Sequence, residues 1–259
     1  METCGRIRIS DPNPRWVMET MPLARVRGDM VLLPNGNILI INGASSGTAG
    51  WDLGRNPVLT PLIYRPNNPI GLRFEAQNLS SIPRMYHSTM ILLRDGRILV
   101  SGSNPHAYYN FTGVDFPTAL TMETFSPDYL DRRLVRVHPV IVSPASHYQI
   151  GYGQQLVINF KAQGRINRGL ITVTIVAPPF TTHSFSMNQR LLVLTNSTGI
   201  SASVTSLGGS NYQVRVMTPG SNTLAPPGYT FYLWFIEKFL VKAFGSRSSR
   251  EKGFNYICN

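Results

Sequence analysis

An adjacent phenol and imidazole, Tyr86 and His87, form the first pair of side chains in this sequence that could do chemistry. The pair stands just before a short apolar run with the pattern of a β-strand. A phenolate and an imidazole at a strand entrance supply mixed oxygen and nitrogen ligands, which suit Cu²⁺ in a tetragonal site. The alternative from pattern alone is structural, with the tyrosine ring buried and the histidine in the core or at the surface.

An internal repeat provides a control for this pair. Residues 30–40 (MVLLPNGNILI) recur as residues 90–100 (MILLRDGRILV), an offset of 60 residues. The same offset aligns Val26 and Arg27 with Tyr86 and His87, so the repeated unit can be built without a Tyr-His pair. We infer that structural need alone does not explain Tyr86 and His87.

Each copy of the repeat has the pattern of a β-hairpin. Pro-Asn-Gly in one copy and Arg-Asp-Gly in the other supply the positive φ that a tight turn needs. Hairpins that recur at about 50 residues are typical of propeller blades, so residues 20–130 predict about two blades of a kelch-type β-propeller. Because a propeller closes with about four to eight blades, we expect a truncated ring.

Beyond about residue 133 the predicted strands become shorter and more closely spaced. Seven short strands separated by Gly, Pro, Asn and Ser turns predict an immunoglobulin-like sandwich of the early-set type. The strands are predicted at residues 134–142, 155–160, 170–176, 190–194, 200–204, 212–218 and 229–235. The prediction is therefore all-β, with propeller residues 1–132, sandwich residues 133–236 and a divergent basic tail, 237–259, that we expect to be loosely held.

The composition limits the classes of partner. The net charge is +11, but the basic residues are dispersed, which fits a solvated surface or attraction to a polyanion such as an acidic cell-wall polysaccharide. No nucleic-acid-binding module accompanies the charge, so nucleic acid is not expected. No apolar stretch approaches the ~20 residues of a membrane span.

Secretion signals are mixed. No signal peptide follows Met1, so a secreted form would begin upstream. Asn78, Asn110 and Asn196 each start an Asn-x-Ser/Thr triplet and are candidate N-glycosylation sites. Cys4 and Cys258 are the two cysteines, and the sequence leaves open whether they pair or both stay free.

Two segments resemble copper radical oxidases of the galactose oxidase and glyoxal oxidase family, of the plant aldehyde oxidase type. Residues 84–88 (RMYHS) and 92–98 (LLRDGRI) resemble the family's copper-binding segment. Residues 181–190 (TTHSFSMNQR) resemble the loop whose histidine reaches from the C-terminal domain into the propeller channel. The resemblance covers about residues 3–233.

The resemblance implies a site for one copper ion. His87 and His183 would be equatorial imidazole ligands, and Tyr86 would be the axial phenolate and the catalytic base. A small aldehyde of the glyoxal or methylglyoxal class, or an alcohol, would be oxidised by O₂ with release of hydrogen peroxide, outside the cell or in the cell wall. The family's radical cofactor is a tyrosine cross-linked to a cysteine, and neither Cys4 nor Cys258 lies in that motif. We therefore expect copper only in the full-length protein and no oxidase activity from this chain alone.

Two other functions stay open. A non-catalytic secreted carbohydrate- or cell-wall-binding β module would use the basic surface, whereas an intracellular kelch scaffold would leave the three asparagines unglycosylated. The other histidines, His106, His138 and His147, are predicted to be structural or solvated.

Overall fold

The regular elements are β-strands and two short 3-10 helices, Asp128–Leu130 and Arg168–Leu170, in the part of the chain that the structure describes. The predicted all-β class is confirmed. The structure is a computed structural model. It describes residues 2–131, 138–145, 149–163, 166–183, 185–199, 201–235 and 254–258.

Eleven strands precede the first 3-10 helix. They are β1 (Thr3–Arg8), β2 (Trp16–Thr20), β3 (Asp29–Leu32), β4 (Ile38–Ile41), β5 (Ala44–Gly47), β6 (Gly54–Pro57), β7 (Leu62–Tyr64), β8 (Phe74–Ala76), β9 (Thr89–Leu92), β10 (Ile98–Ser101) and β11 (Met122–Phe125). Strands β3, β4, β7 and β8 form an antiparallel sheet in that order, called here the first blade. Strands β9, β10 and β11 form the second blade.

The two copies of the repeat form equivalent hairpins, as predicted. In the first blade β3 pairs with β4, and in the second blade β9 pairs with β10. Both turns depend on a glycine in the left-handed region, Gly36 with φ of 81° and Gly96 with φ of 83°. Because only glycine adopts this conformation without steric cost, the third residue of each turn triplet fixes the register of its hairpin.

A buried arginine ties together the strand ends of each blade. Arg25 donates from Nη1 to the carbonyl oxygen of Asn42 at 2.6 Å and from Nη2 to that of Thr60. Arg84 does the same in the second blade, where Nη1 lies 2.9 Å from each of two carbonyl oxygens. Both blades therefore have a buried arginine that bonds backbone carbonyls at the strand ends, as well as a hairpin.

Nine strands follow among the described residues of the C-terminal half before the tail. They are β12 (Val140–Ser143), β13 (Gln155–Lys161), β14 (Ile171–Val176), β15 (Phe180–Thr182), β16 (Phe185–Met187), β17 (Leu191–Leu194), β18 (Ser203–Gly208), β19 (Asn211–Met217) and β20 (Thr230–Phe235). Two sheets, β12-β13-β19-β18 and β17-β14-β20, make the sandwich. Its core includes Leu156, Ile158 and Phe160, the alternate residues of β13 that face inward.

The predicted sandwich strands agree with the structure except at two places. The strand predicted at 200–204 lies at Ser203–Gly208, because its pairing with β19 continues to a tight turn at Gly208 and Gly209. The β15–β16 hairpin was not predicted as strand. The predicted start of the first sandwich strand and the 132/133 boundary lie outside the described residues.

A second core joins both blades to the sandwich. It brings together Val31 and Ile63 of the first blade, Met90 and Ile98 of the second, and Val176 of the sandwich, each at most 3% exposed. The sandwich therefore packs against the blades through shared apolar burial, which holds the β15–β16 hairpin beside them.

The last strand, β21 (Phe254–Cys258), pairs antiparallel with β1, which also pairs with β2. This part of the tail is paired, whereas we expected the tail to be loosely held; residues 236–253 lie outside the described residues. Cys4 is disulfide-bonded, and the residue opposite it in the β1–β21 register is Cys258.

Candidate metal centre

The Tyr86-His87 pair lies in a tight turn that leads into β9. The Ser88 amide donates to the carbonyl of Met85 at 3.1 Å, and the Asn104 amide donates to the carbonyl of Tyr86 at 2.7 Å. His87 adopts a left-handed φ of 60°, which is uncommon for a residue other than glycine. These bonds fix the backbone from which both side chains leave.

The rings of Tyr86 and His87 are stacked. Their centroids are 3.9 Å apart and their planes differ by 27°. Nδ1 of His87 lies 3.1 Å from the carbonyl oxygen of Asn104. Because a carbonyl only accepts, this bond requires the proton on Nδ1 and leaves the Nε2 lone pair of the neutral ring available to a metal.

The β15–β16 hairpin carries His183 and lies against both blades. Strand β15 contacts β9 of the second blade, and β16 contacts β3 of the first. Gln189 binds the β3 backbone with both ends of its amide: Nε2 donates to the carbonyl of Met30 at 2.8 Å, and Oε1 accepts from the amide of Leu32 at 2.7 Å. The hairpin is thus held at the junction of the two blades.

His183 occupies the tip of this hairpin, with a left-handed φ of 51°. Its Nδ1 lies 2.8 Å from the hydroxyl of Thr182, and no hydrogen bond to its Nε2 is found among the described residues. Its carbonyl accepts from Nη1 of Arg27 at 2.9 Å, and the guanidinium carbon of Arg27 lies 4.7 Å from the centroid of the Tyr86 ring. One guanidinium therefore contacts both the hairpin tip and the phenol.

The structure brings the three predicted ligands to one region but does not join all three directly. Tyr86 and His87 touch, and His183 is linked to Tyr86 through Arg27. Among the contacts of the described residues, none connects the imidazole of His183 to the rings of Tyr86 or His87. No group of three or more His, Cys, Asp or Glu in the described part of the chain could hold a metal, so a site here needs the phenol oxygen. Its convergence stays a prediction.

Comparison with known families decides the relationship. The glyoxal oxidase N-terminus family model matches residues 1–129, and the galactose oxidase-like early set domain matches residues 138–241. The chain belongs to the glyoxal oxidase and galactose oxidase-like family. Both the blade that carries Tyr86 and His87 and the hairpin that carries His183 fall within the matched ranges.

Relatives of this oxidase family cover most of the chain. Aldehyde oxidase GLOX1 of Arabidopsis thaliana is 48% identical over 236 residues, which are 91% of this chain and 37% of the relative. Aldehyde oxidase GLOX of Vitis pseudoreticulata is 43% identical over 90% of this chain and 42% of the relative. Galactose oxidase of Gibberella zeae is 27% identical over 85% of this chain and 28% of the relative. The chain thus spans about two fifths of the length of the plant relatives.

A cavity of about 420 Å³ lies beside the site of this oxidase-family chain and was not predicted from the sequence. Two loops line it, and its wall includes Arg55, Tyr108 and Asp115. It shares Gly54 and Pro105 with a smaller space of about 10 Å³ that touches Tyr86. The volume is in the range of small-molecule pockets in proteins.

The remaining histidines are His106, His138 and His147. His106 links the two cavity loops, because Nδ1 lies 2.5 Å from a carboxylate oxygen of Asp52 and Nε2 lies 3.2 Å from the carbonyl of Phe116. With both nitrogens occupied, it has a structural role. His138 lies just before β12, and His147 lies outside the described residues.

Arg27 is the site residue that the sequence analysis missed. The repeat placed Arg27 opposite His87, but that alignment served as a control without chemistry. The signal in the sequence was that Arg27, at the position equivalent to the predicted ligand His87, has a long cationic side chain.

No helix among the described residues has the length and apolar character needed to cross a bilayer.

Proposed function

We propose that this chain carries the copper-binding part of an oxidase that converts small aldehydes of the glyoxal and methylglyoxal class, or alcohols, with O₂ and releases hydrogen peroxide. The observation that carries the proposal is the stacking of Tyr86 on His87 together with the position of Arg27. The Arg27 guanidinium contacts both the Tyr86 ring and the carbonyl of His183 at the hairpin tip. The relatives named aldehyde oxidase and galactose oxidase support the substrate class.

The donor set fits a copper ion. Nε2 of His87 is a nitrogen donor, because its Nδ1 proton is bonded to a carbonyl. Nε2 of His183 is a second nitrogen donor in the tautomer in which Nδ1 donates to the Thr182 hydroxyl, and Tyr86 adds a phenol oxygen. When bound, copper would supply one-electron redox chemistry. The Asn104 carbonyl orients the His87 ring, and the phenol oxygen of Tyr86 would accept the hydroxyl proton of an alcohol or an aldehyde hydrate.

We also propose several properties of the whole protein. These are an extracellular or cell-wall location, one bound copper ion and domains at residues 1–132, 133–236 and 237–259. Glycosylation at Asn78, Asn110 and Asn196 is a further one, and the first two asparagines are exposed. No relative's name supports an acidic cell-wall polysaccharide as a partner, and we do not propose one.

Copper binding by single-ligand variants tests the site. We expect a longer chain that includes these residues to bind one Cu²⁺, with an electron paramagnetic resonance spectrum that shows two imidazole nitrogens. His87→Ala and His183→Ala should each weaken binding by about 100-fold and remove one nitrogen signal. His138→Gln is the matched control, because it removes a histidine of the sandwich outside the site. If His183→Ala binds copper as tightly as the wild-type chain, the proposed ligand set is wrong.

The reaction is tested separately by peroxide release from methylglyoxal. Expression with copper of a longer chain that includes these residues should give peroxide, and Tyr86→Phe should reduce its rate because the proton acceptor is lost. An unchanged rate in Tyr86→Phe would contradict the role given to this phenol.

A further inference from the structure

Arg27 belongs to the first blade but contacts both other parts of the candidate site. Its guanidinium lies over the ring of Tyr86, which precedes the second blade, with 4.7 Å from the guanidinium carbon to the ring centroid. Its Nη1 donates to the carbonyl of His183, which belongs to the sandwich, at 2.9 Å. The first blade, the turn before the second blade and the sandwich thus meet at one side chain.

The backbone at Arg27 is held as tightly as that at His87. Its φ is 58°, in the left-handed region, and the neighbouring Val26 exchanges two backbone hydrogen bonds with Ala44 at 2.7 and 2.9 Å. A non-glycine residue in this conformation costs about 1 kcal/mol or more, so the surrounding bonds must enforce it. The direction in which the Arg27 side chain leaves the blade is therefore fixed by the fold.

Few contacts compete for this guanidinium. Its Nε is buried and has no hydrogen-bond partner among the described residues. The bond to the His183 carbonyl and the contact with the Tyr86 ring are its described contacts. Removing Arg27 therefore acts chiefly on those two neighbours.

We propose that Arg27 is a positioning residue that fixes the His183 hairpin tip relative to the Tyr86 ring, so that the imidazole and the phenol face one metal ion. The metal part rests on the proposed function, whereas the docking of the hairpin does not. A purely electrostatic role predicts the opposite effect on copper, because a guanidinium near the site repels a cation and its removal would tighten binding.

Hydrogen exchange of the metal-free chain tests the docking. In Arg27→Met, we expect the amides of residues 180–187 to exchange about 10- to 100-fold faster, because a hydrogen bond from a charged donor is lost. Arg97→Gln is the matched control, since Arg97 is an exposed cation that pairs with Asp95 within its own turn. Arg27→Lys keeps the charge and should recover part of the protection. Unchanged exchange in Arg27→Met would overturn the docking role.

Copper affinity in a double-mutant cycle tests the positioning. We expect Arg27→Met to raise the dissociation constant about tenfold in the wild-type background and to have no further effect in His183→Ala, because Arg27 acts through His183. An equal loss in both backgrounds, or tighter binding in Arg27→Met, would overturn the positioning role. These affinities are measured in a longer chain that includes these residues. If that wild-type chain binds no copper, the proposed function and the positioning both fail, whereas the exchange result still decides the docking.

Discussion

The first and second blades carry the same left-handed turn before their first strand, with φ of 58° at Arg27 and 60° at His87. In both turns the preceding residue accepts a hydrogen bond through its carbonyl, from Ala44 in the first blade and from Asn104 in the second. A strained backbone is therefore not by itself a sign of a metal ligand here, because the blade without the Tyr-His pair has it too. The scaffold supplies the turn, and the side chain placed on it differs.

The blades also differ in the residue that begins their first strand. The first blade has Asp29, which is fully buried, where the second has the exposed Thr89. Oδ2 of Asp29 accepts from the side-chain amide of Asn42 at 2.7 Å, and Oδ1 has no hydrogen-bond partner among the described residues. The blade that lacks the Tyr-His pair thus contains a buried carboxyl group that its counterpart does not have.

The largest expected difference between the blades is a pH-dependent stability due to Asp29. Burial raises the pKa of Asp29 to about 7, although the bond from Asn42 opposes the shift. The folded state therefore holds the proton more tightly than the unfolded state, in which the carboxyl ionises near pH 4. Stability from this group is present below about pH 4 and is lost as pH rises to about 7, by up to about 4 kcal/mol.

Asp29→Asn should remove this dependence. In urea unfolding between pH 4.5 and 8, the stability of the wild-type chain relative to Asp29→Asn should fall as pH rises. Asp95→Asn is the control without pH dependence in this range, because the hydrogen bond from Arg97 lowers the pKa of Asp95 and its contribution to stability changes only below about pH 4. Parallel pH profiles for Asp29→Asn and the wild-type chain would show that burial does not hold the proton on Asp29.

The fold was predictable where local pattern and tertiary structure agree. The repeat predicted both hairpins, because a glycine in the turn and a short apolar run on either side determine each of them within about 12 residues of sequence. The β15–β16 hairpin was missed because its strands have three residues each and are held by β3 and β9, which lie far away in sequence. Such short strands carry no periodic signal of their own.

The candidate site was predictable as residue types but not as contacts. Tyr86 and His87 were noticed because the first copy of the repeat has other residues at the equivalent positions. His183 was found through its flanking motif. The contact of Arg27 with His183 spans 156 residues of sequence, and no pattern in the sequence indicates which carbonyl an arginine will bind. Arg27, the fourth participant, therefore emerged only from the structure.

The anchoring arginines offer the next comparison. Arg84 is also paired through Nε with Glu123 at 3.1 Å, whereas Arg25 binds carbonyl oxygens and burial lowers its pKa to about 10. Arg84→Met should therefore destabilise the chain by about 3 kcal/mol, because it leaves two carbonyls and a carboxylate without their donor. Arg25→Met should cost about 1 to 2 kcal/mol, since the uncompensated burial of its charge is relieved at the same time.

Chemical denaturation of both variants at pH 7 checks this order. The free energies of unfolding are compared with that of Arg97→Gln, an exposed arginine whose loss should change stability by less than about 0.5 kcal/mol. A greater loss in Arg25→Met than in Arg84→Met would mean that the Glu123 pair adds no stability at Arg84 and that no cost of buried charge is relieved at Arg25.

The smallest expected effect compares the two left-handed turns directly. Glycine at either position relieves up to about 1 kcal/mol of backbone strain, although it also gives the unfolded chain more freedom. His87→Gly loses one hydrogen bond and the stacking on Tyr86 at an exposed ring, so its stability should be about equal to that of the wild-type chain. Arg27→Gly gains the same relief but loses a charged hydrogen bond and a ring contact, so it should be less stable by about 1 kcal/mol.

Urea unfolding of the metal-free chain measures the stability of both variants. Equal shifts would mean that the Arg27 side chain adds nothing to the docking of the hairpin, whereas a loss in Arg27→Gly alone would show that the blades share a backbone and differ in what their side chains hold.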